Sequence, residues 1–402
     1  NSKDMECMKR YNGMKLLALV CGIMVLFAFS SCHDGNDDDN VTEETVIFFF
    51  PYSGLESQID NNINDIKKAV EDIGGLGDKR LVVIKSVGRA KVNIFELVWN
   101  GNECTESIVS EGFNTDFSSY DEEGSTTCLS QLLGIARCNA PADSYSLIVG
   151  SHGSAWLPAG ISLSDISSKH APRINKAFGT AGVDGQISNE SLANAVKKAG
   201  MHFGYIFFDA CLMANVETIY EYRDVCDFFI GSASETMAYG APYRVVLKDL
   251  LMHDYAGFAG HYVSFYENSN TPYATISVVR TSFLNDLSTV VRELNNMTQM
   301  GDDDEGAKAV QCYDGMEPHL FYDFLDWVEY QGEGCDYIVE EIRTLVSKMI
   351  VASKHTPTIY SSLPKTQKIS LDKYCGFSTS CPTQNALVSG MHERTAWYAD
   401  TK

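Results

Sequence analysis

Positive charge is scarce in this sequence: 31 Lys and Arg stand against 53 Asp and Glu across 402 residues, a formal net charge of −22. A surface that binds nucleic acid must neutralise phosphates with Lys and Arg, so the charge balance excludes nucleic-acid partners. It disfavours adsorption to anionic lipid by charge alone for the same reason. No CxxC pair occurs, and no cysteine and histidine stand at finger or ribbon spacing, which removes a structural zinc site. No apolar run reaches the ~20 residues that a membrane-spanning helix needs; the longest, residues 16–29, is too short. Long low-complexity tracts and internal repeats are missing too. A balance of 45% hydrophobic and 21% charged residues is that of a globular chain, long enough for one large domain or two ordinary ones.

The short apolar run has informative flanks. Lys9, Arg10 and Lys15 precede it and Ser30-Ser31-Cys32 follow, the order of a secretory signal peptide over residues 1–31. Met14-Lys15 makes a natural start, so residues 1–13 read as an upstream over-call. Small residues directly before a cysteine resemble a bacterial lipobox, with Phe29 in place of the usual Leu, and Cys32 is then the lipidated first residue of the mature protein. Residues 32–44, opening His33-Asp34-Gly35-Asn36-Asp37-Asp38-Asp39-Asn40, form an acidic tether. The expected location is extracytoplasmic, as an outer-membrane or cell-surface lipoprotein held by its anchor only, or released. Export permits disulfides, and Cys128 with Cys138 or Cys375 with Cys381 are the candidate pairs.

The mature part, residues 45–402, alternates strands and helices. Val46 to Phe50 is a short apolar run ended by Pro51, as a central parallel strand requires. Ile59, Ile63, Ile66, Val70 and Ile73 fall at helical spacing before Gly74-Gly75. Leu81–Ile84 and Ile94–Trp99 read as strands. Ser144 to Gly150 runs into Ser151-His152-Gly153, Tyr205 to Phe208 runs into Asp209-Ala210-Cys211, and Phe228 to Gly231 runs into Ser232-Ala233-Ser234-Glu235. Ser191–Lys198, Ser282–Met297, Phe321–Val328 and Tyr337–Val351 read as helices, the later ones a C-terminal elaboration. Repeated strand–helix units imply an α/β fold with a mostly parallel central sheet, whose reactive groups gather at the carboxyl ends of its strands. His152, Cys211 and Glu235 all fall at that edge.

A catalytic cysteine attacks as the thiolate and needs an accessible position. Cys211 precedes Leu212 to Glu217, a helical-looking stretch, which would place it at a helix N-terminus. Alone it would read as a core cysteine, since free cysteine is among the most buried residue types. His152 alone would read as a loop residue, although Gly150 and Gly153 beside it suggest unusual dihedrals or close approach to a ligand. Two such residues at one sheet edge say more together. Asp209, two residues before Cys211, can pair with a cationic side chain or cap a following helix.

Ser151-His152-Gly153-Ser154-Ala155-Trp156, Phe208-Asp209-Ala210-Cys211-Leu212-Met213-Ala214, Ser232-Ala233-Ser234-Glu235 and Gly240-Ala241-Pro242-Tyr243 together resemble the clostripain family of cysteine peptidases, in the clan of caspases, legumain and gingipains. The resemblance implies a caspase-like α/β/α sandwich and a Cys–His dyad. Cys211 would form the thioester and His152 would protonate the leaving amine, with the backbone amides of Gly153 and Cys211 binding the oxyanion. It places Asp209 in a pocket for a P1 Arg or Lys, so the expected partners are peptides and proteins bearing those residues. It further implies a zymogen cut between the two motifs, where Lys169, Arg173 and Lys176 are the candidate autocleavage sites, leaving a monomer of two associated chains. No cofactor is expected. Some relatives need calcium, and Asp302-Asp303-Asp304 is an acidic cluster, but the spaced ligands of an EF-hand are absent. Two other readings remain open: a catalytically idle surface binding module, and a cysteine hydrolase acting on a non-peptide amide.

Overall fold

The computed structural model describes residues 42–115, 122–158, 178–179, 186–298, 309–316, 319–363, 366–380 and 386–402. The signal peptide, Cys32, most of the tether, Lys169, Arg173, Lys176, Asp302 to Asp304 and Cys381 lie outside those residues.

Nine strands form one sheet. They are β1 (Glu44–Phe50), β2 (Lys79–Ser86), β3 (Lys91–Trp99), β4 (Cys104–Asn114), β5 (Ser144–Gly150), β6 (Phe203–Asp209), β7 (Cys226–Gly231), β8 (Thr275–Arg280) and β9 (Ile350–His355), in the order β9-β8-β7-β6-β5-β1-β2-β3-β4. The five inner strands, β7 to β2, run parallel. Both margins are antiparallel: β3 and β4 form a hairpin ladder on β2, and β8 and β9 close the other side. The centres of the inner strands are apolar because both sheet faces are covered there.

Successive side chains of a strand point to opposite faces, and the core divides accordingly. Val46, Phe48, Phe50, Ile148, Tyr205 and Phe207 pack with helices α1 (Glu56–Ile73), α5 (Tyr243–Leu251) and α6 (Tyr255–Glu267). Ile47, Phe49, Leu147, Val149, Ile206 and Phe208 pack against α2 (Glu122–Asn139), α3 (Asn189–Lys198), α4 (Val216–Glu221), α7 (Leu284–Met297) and α9 (Asp336–Met349) on the other. The result is an α/β/α sandwich. Helix α1 buries Ile59, Ile63, Ile66 and Val70 of its predicted stripe, leaves Ile73 exposed in its last turn, and ends where Gly74 turns left-handed at φ 84°.

Three expectations need correction. Phe321–Asp323 is a short strand paired with Ser378–Ser380, and only the helix α8 (Phe324–Gln331) follows it. Ile350 and Val351 leave the predicted helix to enter β9. Cys128 and Cys138 are both free thiols on α2, ten residues apart at ~1.5 Å per residue, beyond the reach of a disulfide. Among the described residues no helix is long and apolar enough to cross a membrane.

Candidate active site

Strands β5 and β6 pair in parallel with Gly150 opposite Asp209. The Ser151 N–H donates to the Asp209 carbonyl at 3.3 Å, so the register holds just past the strand ends. His152 and Cys211 each stand two residues beyond that pair, half-exposed at the carboxyl edge of the sheet. Parallel pairing thus turns two distant sequence motifs into neighbours.

After Asp209 the chain turns sharply. Leu212 is buried with a positive φ of 63°, a conformation that costs a residue with a Cβ about 1–3 kcal/mol. The turn is held from β7's extension, where Leu212 N–H donates to the Ser234 carbonyl and Ala214 N–H to the Ser232 carbonyl, both at 2.9 Å. Helix α4 begins only at Val216 and is capped by Asn215, whose side chain accepts from Thr218 N–H. Cys211 is therefore not at a helix N-terminus, and Asp209 is not a helix cap. The Cys211 thiol is positioned instead by the loop after β7: Thr236 N–H reaches Sγ at 3.3 Å, and the Thr236 hydroxyl lies at 3.4 Å.

The two glycines near His152 serve close packing, and neither has a positive φ. A Cβ on Gly153 would lie 2.4 Å from the Cys211 carbonyl oxygen and 3.1 Å from its nitrogen, so the histidine loop is pressed against the cysteine turn. A Cβ on Gly150 would sit 2.5 Å from the Phe50 ring. The close approach is to the protein itself. Behind the loop, Asn189 donates to the Ala155 carbonyl at 2.8 Å and the Trp156 indole donates to Ser380 at 2.6 Å.

A cleft of about 630 Å3 opens over these residues, lined by His152, Cys211, Asp209 and Glu235 and walled by Ile59, Met237, Tyr239 and Tyr273. Glu235 accepts from Ser361, Ser362 N–H and the Ser362 hydroxyl at 2.6–2.8 Å, which ties the β7 loop to the 358–361 hairpin strand. Asp209 is 6% exposed. Its Oδ2 accepts from Ala241 N–H at 2.9 Å and from the Tyr243 hydroxyl at 3.0 Å, while Oδ1 has no partner. Burial pushes its carboxyl up to about 6, against the downward pull of those two bonds.

Sequence reading overlooked Thr236 and Asn62. Asn62 is 7% exposed on the buried face of α1 and lines the same cleft. Its signal was a polar residue three positions after Ile59 and one before Ile63, inside an apolar stripe. Among the described residues no group of three or more His, Cys, Asp or Glu is placed to hold a metal ion.

A profile of the clostripain family matches residues 53–370. Among solved structures, a secreted C11 cysteine protease from Bacteroides thetaiotaomicron, "iotapain", is 29% identical over 90% of this chain and 99% of its own, with a TM-score of 0.80. An inactive zymogen C11 protease from Parabacteroides distasonis is 25% identical over the same shares, with a TM-score of 0.73. A clostripain from Bacteroides thetaiotaomicron, solved with the peptide inhibitor BTN-VLTK-AOMK, is 33% identical over 54% of this chain and 95% of its own, with a TM-score of 0.51. Among curated proteins none matches.

Proposed function

The chain belongs to the clostripain family and is a cysteine endopeptidase, and from that premise we propose that it cleaves after Lys or Arg, with Cys211 as nucleophile and His152 as proton donor. The observation that carries this reading is the β5–β6 register, which sets both residues two positions past one strand pair at the mouth of one cleft. In the first step Cys211 Sγ attacks the scissile carbonyl carbon. The resulting oxyanion is received by the backbone N–H groups of Gly153 and Cys211. The C–N bond then breaks as His152 gives its proton to the departing amine, and water hydrolyses the thioester. The preference for a basic P1 residue is supported by Asp209, a buried carboxylate in the cleft with one oxygen unpartnered. The inhibitor bound to the 33% identical clostripain, BTN-VLTK-AOMK, carries Lys next to the AOMK group. Family membership leaves the binding-module and non-peptide readings without support.

Peptide aminomethylcoumarins that differ only at P1 test the reading. With trypsin-treated protein under reducing conditions, Lys and Arg should exceed norleucine at least about a hundredfold in kcat/KM. Equal turnover of norleucine would overturn it.

Export and self-processing belong to the same proposal. The 29% identical relative is a secreted protease and the 25% identical one a zymogen. A site selective for basic P1 residues would cut its own chain after Lys169, Arg173 or Lys176, and the β5–β6 pairing would keep the two products associated. N-terminal sequencing and intact mass of the exported protein test both parts. The second chain should begin between residues 165 and 200, and the first should carry a lipid adduct at Cys32. A start elsewhere removes self-processing at these residues; an unmodified Cys32 removes the anchor.

A further inference from the structure

The cleft holds a second buried polar group that the mechanism leaves unused. Asn62 projects from the apolar face of α1 among Ile59, Ile63 and Ile66, a place where an amide must find partners or face a ligand. Its amide has no hydrogen-bond partner among the described residues, yet it is 7% exposed and lines the cleft. Gly240 places it beside the carboxylate. A Cβ there would lie 2.8 and 3.3 Å from Oδ2 and Oδ1 of Asp209 and 3.2 Å from Nδ2 of Asn62. Gly240 has a positive φ of 74° and its carbonyl is held by the Tyr266 hydroxyl, so this wall is fixed.

We propose that Asn62 is a specificity-determining residue: with its amide turned over to present Oδ1 in place of Nδ2, its side-chain carbonyl and Asp209 Oδ1 together receive the P1 cation, and the pair selects Lys over Arg. The inference rests on the basic-P1 reading above. Its logic is the count of free acceptors. Oδ2 of Asp209 has both lone pairs engaged by Ala241 N–H and the Tyr243 hydroxyl, so only the buried Oδ1 is left without a partner. A guanidinium binds a carboxylate best through two parallel bonds to both oxygens, and that fork is not available. An ammonium is a compact point charge with three donors that can diverge. One acceptor on Asp209 and another on Asn62 suit it.

The test compares kcat/KM on two peptides differing only in Lys or Arg at P1, for wild type, Asn62→Leu and Asn62→Ala. Wild type should favour Lys at least tenfold. Removing the amide should lower the Lys value ten- to a hundredfold, the worth of a hydrogen bond to a charged group, chiefly through KM. The Arg value should fall less than threefold, so the ratio collapses. A melting temperature within a few degrees of wild type reports whether each variant is folded. The smaller Ala variant serves if Leu does not fold. Equal loss on both peptides, or an unchanged ratio, overturns the role of Asn62. A wild type that cleaves neither peptide yet cleaves a norleucine peptide overturns the basic-P1 reading itself, a separate result.

Discussion

Cys211→Ala should lose turnover by a factor on the order of 10^4 or more while remaining folded. No other thiol can substitute: among the described cysteines only Cys211 lines the cleft. Cys226 is buried and its thiol is held well above its usual range by desolvation, and Cys104 and Cys128 are pushed up to about 11 by burial. The structural cost is small, because the thiol is half-exposed and its firmest contact is the weak bond accepted from Thr236 N–H. A melting temperature within a few degrees of wild type, measured beside single-turnover kinetics, separates chemistry from folding. Residual activity within tenfold would show that Cys211 is not the nucleophile.

Asp209→Asn should act in two opposite directions. On basic P1 peptides it should reduce kcat/KM by about 10^2–10^4, because a buried cation would lose the Asp209 counter-charge; a norleucine peptide should change little. Stability should rise. The carboxyl titrates near 3.8 in the unfolded chain and near 6 when folded, raised by burial. A raised carboxyl adds stability in full below pH 3.8 and loses it as pH climbs through about 6. Above pH 7 the ionised group therefore penalises folding by about 3 kcal/mol, and Asn removes that penalty while still accepting from Ala241 N–H and Tyr243. Denaturation at pH 8 should show the variant more stable, and at pH 3.5 the difference should vanish. The same titration makes the wild-type preference for basic over neutral P1 decline below pH 6. Equal losses on basic and neutral peptides would assign Asp209 a structural role.

Apolar runs made the parallel core legible: β1, β5, β6 and β7 each hold a short apolar run ended by Gly, Pro or Asp. Their shared edge then followed from topology. The margins were less legible. β4 is an outer strand whose mostly exposed residues alternate too weakly to stand out, and α2 mixes Ser, Thr and Gly into its stripe. Phe321 and Ile350 were read as helical because the pull that makes them strands comes from Ser380 and from β8, far away in sequence. Cys211 and Asp209 were singled out by position, but their surroundings were not. The bond from Thr236, the two bonds that occupy Oδ2, and Asn62 all come from segments that only folding brings near.

The seam between β5 and β6 divides the chain unevenly in function as well as in length. Five strands precede it and four follow, and the proposed proton donor and nucleophile lie on opposite sides. Neither side is an enzyme without the other. If that pair is the dyad, catalytic output would gauge whether this one ladder is closed, since parting it would separate the two groups without any helix having to melt.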